Sequence, residues 1–443
     1  MTMSPTDGDP ALPHPTDADP PSSVEHPTLD TATLPEEELP VLRAPKDGVP
    51  VVSDTQAAYE ELVAALAAGE GPVGIDTERA HGFRYSPKAW LIQLRRRGSG
   101  TFLLDPDALA PADELADLSA LREAIGDAEW IIHAASQDLP CLVEVGLRPS
   151  TIFDTELAGR LLGYPRVSLG AMAERFCGVH LLKEHSAADW STRPLPEDWL
   201  VYAALDVELL RDLRDAIAEE LRIAGKDEWA RQEFAYLVQE AGTPKTPREE
   251  PWRRVSGIHD IRSRRELALV RELWQTREAI AARRDKAPGR LLNDRVIIAA
   301  ATRKGLTAGT VGEMSGFHKG VAKRYLNDWS DAVRRVEAMD PTDYPALRPP
   351  RRGNGAPRTW QGHHPEAYAR FMAAREAMNK LAEEHQLPPE NLLTPDTWHR
   401  LCWEPPTPLS PATVEEHLAA AGARPWQRDL VRDALAQALA TTA

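Results

Sequence analysis

An apolar segment that ends in two acidic residues places the strongest constraint on how this chain folds. The stretch GPVGIDTERA, at residues 71–80, has the composition of a buried strand, and Asp76 and Glu78 lie at its end. In a strand, the side chains at i and i+2 point to the same side. The two carboxylates therefore converge on one face, where they repel each other unless a positive charge lies between them. We expect a buried strand that carries a charged site at its end.

From residue 50 the sequence alternates between strand and helix patterns. VPVVSD and GPVGID are typical of strands, with the helix TQAAYEELVAALAAGE between them, and AWLIQLRR and TFLLDP predict a strand pair joined by GSG. EWIIHAAS is a short apolar strand that ends at His133, and the helical patterns that follow include one long stretch over residues 196–225. These patterns predict an α/β domain over residues 49–240.

The segment before this domain is acidic and rich in proline. Residues 1–48 contain ten acids and two bases, and so contribute half of the formal net charge of −16. They contain almost no aromatic residues and cannot bury enough apolar surface to offset the entropy of ordering. We therefore predict that residues 1–48 are a disordered tail.

Two helical blocks after the α/β domain resemble each other. REAIAARRDKAPGRLLNDRVIIAAA and REAMNKLAEEHQLPPENLLTPDTWHRLC both contain a helix, a proline, a Leu-Leu pair and a second helix, at an offset of about 100 residues. This internal similarity predicts two copies of one small all-α domain, over residues 261–340 and 362–443. Residues 241–260 and the Pro/Gly/Arg-rich segment 341–361 are predicted linkers.

Composition argues against several classes of protein. The sequence has no run of about 18 apolar residues, which argues against a membrane span, and no secretory signal at its start. Three widely spaced cysteines predict a reducing, cytoplasmic location. The negative net charge at first argues against a nucleic-acid partner, but PWRRVSGIHDIRSRRE and RPPRRGNGAPR are basic clusters that create a different local field.

Further acidic residues fall at the ends of other predicted elements. Asp138 follows the strand that ends at His133, where it is either a helix N-cap or part of a site. Tyr202 and Asp206 are four residues apart on one helix face, and Asp206 lies in an apolar run where an unpaired charge is costly. Carboxylates on separate elements suit Mg²⁺ or Mn²⁺, and two such ions about 3.5–4 Å apart can clamp a phosphodiester.

The chain also contains a decoy with the same spacing. In IFDTELAGR, Asp154 and Glu156 precede a helix, so Asp154 is predicted to be its N-cap and Glu156 to favour the positive end of its dipole.

These segments together resemble the ribonuclease D family of DEDD exonucleases. IDTE, the stretch from His133 to Asp138, and YAALD resemble the three exonuclease motifs in order, and the two helical blocks resemble HRDC domains. The resemblance implies a ribonuclease H-like α/β domain with a mixed sheet flanked by helices, followed by two all-α HRDC domains. It also implies that two divalent ions, Mg²⁺ or Mn²⁺, are held by Asp76, Glu78, Asp138 and Asp206, and that Tyr202 orients the attacking water.

The implied function is metal-dependent removal of nucleotides from an RNA 3′ end, with release of 5′-monophosphates. RNA with a free 3′ end, in particular transfer-RNA precursors, is the implied partner of a monomeric protein. The alternatives are a 3′–5′ exonuclease that acts on single-stranded DNA and a non-catalytic RNA-binding scaffold; a helicase is excluded, because the chain has no phosphate-binding loop. Seven basic residues of the first helical domain are predicted to contact RNA: Arg262, Arg264, Arg265, Arg283, Arg284, Lys286 and Arg290.

Overall fold

A six-stranded mixed sheet forms the centre of the α/β domain. The computed structural model describes residues 39–111, 114–182, 185, 187–243, 248–348 and 354–440. The sheet comprises β2 (Val52–Ser53), β3 (Glu70–Arg79), β4 (Ala89–Arg97), β5 (Gly100–Leu104), β6 (Trp130–Ile132) and β7 (Ile152–Asp154).

The strand order places β3 in the interior of the sheet. The order is β2-β5-β4-β3-β6-β7. Strand β4 pairs antiparallel with both β3 and β5, and the other three pairs (β2 with β5, β3 with β6, and β6 with β7) are parallel. The mixed sheet is therefore confirmed, as is the pairing of AWLIQLRR with TFLLDP. The tight turn between these two strands contains Gly98 and Gly100, both at positive φ. Glycine adopts this backbone conformation readily, whereas residues with a side chain rarely do.

Helices flank this sheet on both sides. They are α1 (Gln56–Ala68), α2 (Pro106–Leu109), α3 (Ser119–Ile125), α4 (Leu139–Glu144), α5 (Thr155–Leu161), α6 (Leu169–Cys177), α7 (Glu197–Glu208), α8 (Leu210–Ile223) and α9 (Asp227–Glu240). The long helical stretch predicted over residues 196–225 is divided at Leu209 into α7 and α8. Helix α7 packs across β3, β4 and β5, and so brings its residues over the interior strand.

The predicted disordered tail extended too far along the chain. Residues 1–38 lie outside the described residues, but β1 (Val41–Leu42) pairs in parallel with β8 (His180–Leu181). This pairing gives the backbone of residues 41–42 hydrogen-bond partners that the composition of the segment does not reveal. The prediction of disorder is therefore wrong for residues 41 and 42.

In the part of the helical region that the structure describes there are ten α-helices. Those of the first domain are α10 (Arg264–Arg284), α11 (Pro288–Leu291), α12 (Asp294–Thr302) and α13 (Leu326–Ala338). Those of the second are α14 (Trp360–His363), α15 (Pro365–Glu384), α16 (Pro389–Leu392), α17 (Pro395–Trp403), α18 (Pro411–Ala420) and α19 (Pro425–Ala440). No helix within the described ranges is long and apolar enough to cross a bilayer.

Both predicted linkers contain residues that belong to the helical domains. Trp252 and Val255, in the predicted linker 241–260, are buried in the core of the first helical domain. Trp360, in the predicted linker 341–361, is buried in the second. In each case burial of a large apolar side chain stabilises the domain, although the surrounding sequence is rich in proline and was predicted to be a linker.

The two helical domains are anchored differently. The first has its own core, built around Trp329, Phe317 and the apolar side of α10. The second shares one continuous core with the α/β domain. At that boundary the rings of Trp229 and Trp426 stack at 4.7 Å, and the buried Lys226 donates to the carbonyls of Leu161 and His385, both at 2.7 Å.

Candidate active site

Three of the predicted carboxylates meet beneath helix α7. One carboxylate oxygen each from Asp76, Glu78 and Asp206 lies within 4.8 Å of the others. Asp76 and Glu78 project from the same face of β3, and Asp206 reaches them from α7. The sequence-based expectation that these residues converge is met by this geometry.

The fourth carboxylate, Asp138, lies beside this cluster and is held by a neighbouring hydroxyl. Thr77 Oγ1 donates to Asp138 Oδ1 at 2.5 Å in the buried interior, and Cys141 Sγ donates to the Asp138 carbonyl at 3.1 Å. Asp138 precedes α4, but its side chain makes no N-cap hydrogen bond. The structure therefore does not support the N-cap alternative.

The charges of the cluster destabilise one another. Burial, followed by repulsion from the neighbouring carboxylates, raises the pKa of both Asp76 and Glu78 well above their usual range. Burial also raises the pKa of Asp206 to about 7, although the Tyr202 hydroxyl donates to it, and the pKa of Asp138 to about 6. Such a group of oxygen ligands is stabilised by divalent cations, and the site therefore fits them chemically.

Tyr202 stands one helical turn before Asp206, as its spacing predicted. Its pKa is raised, chiefly by burial and then by Asp206, Glu78 and Asp76, so the phenol stays protonated and acts as a hydrogen-bond donor. Trp190 lies behind it, with ring centroids 6.3 Å apart. The ring is thus held in place by packing, with its hydroxyl directed at the carboxylates.

His133 follows directly after β6 and contacts Thr155 instead of the carboxylate cluster. Its Nδ1 is 2.8 Å from Thr155 Oγ1, and burial lowers its pKa to about 4. It is therefore a neutral residue that packs at the end of the strand.

The decoy motif has a structural role that supports the site. Asp154 caps α5 by accepting from the backbone N–H groups of Glu156 and Leu157, which confirms the prediction. It also accepts from the N–H groups of Ala134 and Ala135, in the turn that leads to Asp138. The same carboxylate thus fixes both the helix and the loop that presents Asp138.

The sequence did not single out Gln93, which lies directly opposite Asp76 on β4. Cross-strand partners project from the same face, so the Gln93 side chain points to the same side of the sheet as Asp76. Gln93 is fully buried, and neither amide atom has a hydrogen-bond partner among the described residues. The signal that could have identified Gln93 is its position opposite Asp76, but this position is known only once the register of β3 with β4 is known.

Only some of the seven predicted RNA-contacting residues remain available for a ligand. Arg264 donates to the carbonyl of Thr342 at 3.0 Å, and Arg265 to that of Leu306 at 3.4 Å. Arg290 donates to the carbonyl of Gly82 at 2.7 Å and lies 3.9 Å from the ring centroid of Phe83.

The remaining members of that set are exposed. The Arg283 guanidinium lies 4.0 Å from the carboxylate of Asp328. The side chains of Arg262, Arg284 and Lys286 have no hydrogen bond or ion pair among the described residues.

Comparison with known proteins assigns the chain to one family. Residues 50–222 match a family of 3′–5′ exonucleases, residues 266–333 match the HRDC domain, and residues 353–439 match a 3′ to 5′ exonuclease C-terminal domain. Ribonuclease D of Acidiphilium cryptum is 32% identical over 68% of this chain and 77% of its own length. Ribonuclease D of Nitrobacter hamburgensis is 31% identical over 66% of this chain and 76% of its own length.

Solved structures agree with this assignment at the level of the fold. A protein from Bifidobacterium adolescentis is 38% identical, with a TM-score of 0.84 over 91% of this chain and 100% of its own. Escherichia coli RNase D, described as an exoribonuclease involved in structured RNA processing, is 22% identical, with a TM-score of 0.61 over 88% of this chain and 99% of its own.

Proposed function

Since the chain belongs to the ribonuclease D family and is a 3′–5′ exoribonuclease, we propose that Asp76, Glu78, Asp138 and Asp206 form its catalytic centre and hold two divalent ions, Mg²⁺ or Mn²⁺. The single observation that carries this proposal is the convergence of three carboxylates from β3 and α7 within 4.8 Å. Among the described residues, this repulsion is offset in part by Arg79, by the Tyr202 hydroxyl and by hydrogen bonds from Thr77.

Each residue has a distinct part in the proposed mechanism. The ions, when bound, lower the pKa of water and neutralise charge on the phosphodiester. Asp76, Glu78, Asp138 and Asp206 would supply the ligands, and the hydrogen bond from Thr77 holds Asp138 in position. The Tyr202 hydroxyl, which stays protonated, orients the attacking water as a hydrogen-bond partner instead of removing its proton.

We further propose that the second helical domain is an HRDC-type copy of the first. The long helices α10 and α15 are both followed by a residue at positive φ, Asp285 (44°) and Gln386 (50°). Each is followed by Pro at N1 of a four-residue helix and then by a further helix, α12 or α17. The repeated turn geometry supports a common origin of the two sequence blocks.

RNA with a free 3′ end is the proposed substrate, with transfer-RNA precursors as the natural candidates and a cytoplasmic monomer as the acting form. Arg262, Arg283, Arg284 and Lys286 are proposed to contact the RNA backbone, because their side chains are exposed and at most weakly paired. Removal of these charges should reduce the salt dependence of RNA affinity, since each phosphate contact releases counterions.

The catalytic proposal is tested by degradation of a 5′-labelled RNA with a 3′ extension. With Mg²⁺ or Mn²⁺ the products should shorten stepwise from the 3′ end, and EDTA or Asp76→Asn should abolish them. Glu156→Gln is the matched control, since Glu156 has the decoy spacing and pairs with Arg160 on α5. Bound but intact RNA would favour the scaffold alternative, and faster degradation of a single-stranded DNA of the same sequence would favour the DNA exonuclease.

A further inference from the structure

A second pocket lies on the same side of the sheet as the carboxylate cluster. It has a volume of about 620 Å³ and is formed by the N-terminal half of β3, the end of β4 and the junction of α7 with α8. Gly74, in its floor, projects from the same face of β3 as Asp76, so the two sites are about 7 Å apart along the strand. The last residues of α7 separate them.

The charge of the pocket differs from that of the whole chain. Five basic residues line it, against three acidic ones (Asp47, Glu208 and Asp212), whereas the protein as a whole has a formal charge of −16. The basic residues are Lys46, Arg95, Arg96, Arg97 and Arg211. The pocket is therefore a local positive region, which attracts anions.

Two of these basic residues are committed to the protein itself. Arg95 pairs with Asp47 at 2.9 Å and with Glu208 at 3.2 Å. Arg96 donates to the carbonyls of Gly71 and Leu66 at 3.0 and 2.7 Å.

The other three basic residues have no such partners. The side chains of Lys46, Arg97 and Arg211 make no hydrogen bond or ion pair with any described residue. They come from three separate segments of the chain and line the same cavity. A phosphate group is the ligand that such converging, uncommitted cations favour.

Glu208 gives the pocket a second, independent requirement. Its side chain is only 7% exposed; Oε1 pairs with Arg95, the backbone N–H of Lys46 also faces the carboxylate, and Oε2 is not within direct hydrogen-bond distance of a donor among the described residues. A buried carboxylate oxygen without a donor is costly, and a ligand that supplies an N–H or O–H group removes this cost. An inorganic phosphate ion bound at the three basic residues has no base or ribose that extends to Glu208, whereas a nucleotide does.

We propose that this pocket binds a nucleotide, with its phosphate on Lys46, Arg97 and Arg211 and a base or ribose donor on Glu208. The inference rests on the proposed exonuclease function for its two sources of nucleotide, the released 5′-monophosphate and an internal nucleotide of the RNA chain. Both present a phosphate group joined to a ribose and a base, and the experiment separates them.

The test uses the full chain with Asp76→Asn and EDTA, so that binding is measured without metal or hydrolysis. Calorimetric titration with guanosine 5′-monophosphate and with inorganic phosphate is compared with anisotropy of a labelled RNA. On this background Arg97→Ala or Arg211→Ala should weaken monophosphate binding at least tenfold. Glu208→Gln should weaken it while leaving the affinity for inorganic phosphate unchanged. Arg375→Ala, which removes an exposed charge on α15, is the matched control and should change nothing.

The two sources give different patterns. Weakened monophosphate binding with unchanged RNA binding assigns the pocket to the released product, and weakening of both assigns it to the RNA chain. Equal affinities of all variants for the monophosphate, or an equal loss in Arg375→Ala, would overturn the proposal. Because no metal is present, such a failure is separate from a failure of the exonuclease assignment, which the degradation assay tests.

Discussion

Asp206→Asn should make the metal-free protein more stable while it removes activity. The folded-state pKa of Asp206 is raised from 3.8 to about 7, so the folded protein binds this proton more tightly than the unfolded chain does. The corresponding stability is fully present below pH 3.8 and is lost as the pH rises to about 7. Asparagine has no such proton, and its side-chain oxygen can still accept from the Tyr202 hydroxyl.

The expected magnitude follows from the size of this pKa shift. A shift of one pKa unit corresponds to 1.36 kcal/mol, so a shift of about 3 units costs about 4 kcal/mol of unfolding free energy above pH 7. Asp206→Asn should recover about that amount in EDTA at pH 8 and little at pH 4. Mg²⁺ at about 100 times its dissociation constant should stabilise the wild type by about 2.7 kcal/mol and the variant much less.

Urea unfolding in EDTA at pH 4, 6 and 8, repeated with Mg²⁺ at pH 8, measures these differences. Asp343→Asn is the matched control, since Asp343 is exposed and its side chain makes no hydrogen bond or ion pair with the described residues. The reasoning is refuted if Asp206→Asn is no more stable than the control at pH 8, or if its gain is the same at pH 4. Loss of activity without a gain in metal-free stability would mean that burial and the neighbouring carboxylates do not raise the pKa of Asp206 as the structure indicates.

Four further substitutions test other contacts. Thr77→Val should lower kcat about tenfold with little change in KM, because it frees Asp138, and Thr77→Ser should restore the rate. Gln93→Leu should stabilise the metal-free protein by about 1 kcal/mol of unfolding free energy, and so raise its urea midpoint, because it replaces a buried amide without a hydrogen-bond partner. An unchanged or lower midpoint would mean that the Gln93 amide is not unpaired. Lys226→Met should cost about 2 kcal/mol of unfolding free energy in the same assay, because the carbonyl of Leu161 and, across the domain boundary, that of His385 lose their donor. Asp285→Ala should speed hydrogen exchange at the backbone N–H groups of residues 85 and 86, because both donate to the Asp285 carboxylate. Exchange at wild-type rates would contradict this contact.

The parts of the site that sequence predicted are those that depend on local periodicity. Asp76 and Glu78 share a face because strand side chains alternate, and Tyr202 and Asp206 share one because a helix turns every 3.6 residues. The N-cap role of Asp154 was predictable for the same reason, since a cap and its helix are adjacent in sequence. Such relations require only a correct assignment of the local element.

The parts that sequence did not predict depend on contacts between distant segments. The bond from Thr77 to Asp138 spans 61 residues, and the position of Gln93 opposite Asp76 requires the strand register. Arg290 has the composition of an RNA-contacting residue, yet it donates to the Gly82 carbonyl 208 residues away. Its charge was visible in the sequence, but its partner was not, because a backbone carbonyl has no sequence signature.

The shared core has a consequence for the order in which the nascent chain can fold. The α/β domain and the second helical domain form one continuous core, although the first helical domain separates them in sequence. During synthesis, the surface around Trp229 therefore stays exposed to water until Trp426 has left the ribosome. The first helical domain can close around Trp329 earlier, so the middle of the chain can be finished before the catalytic part on its N-terminal side.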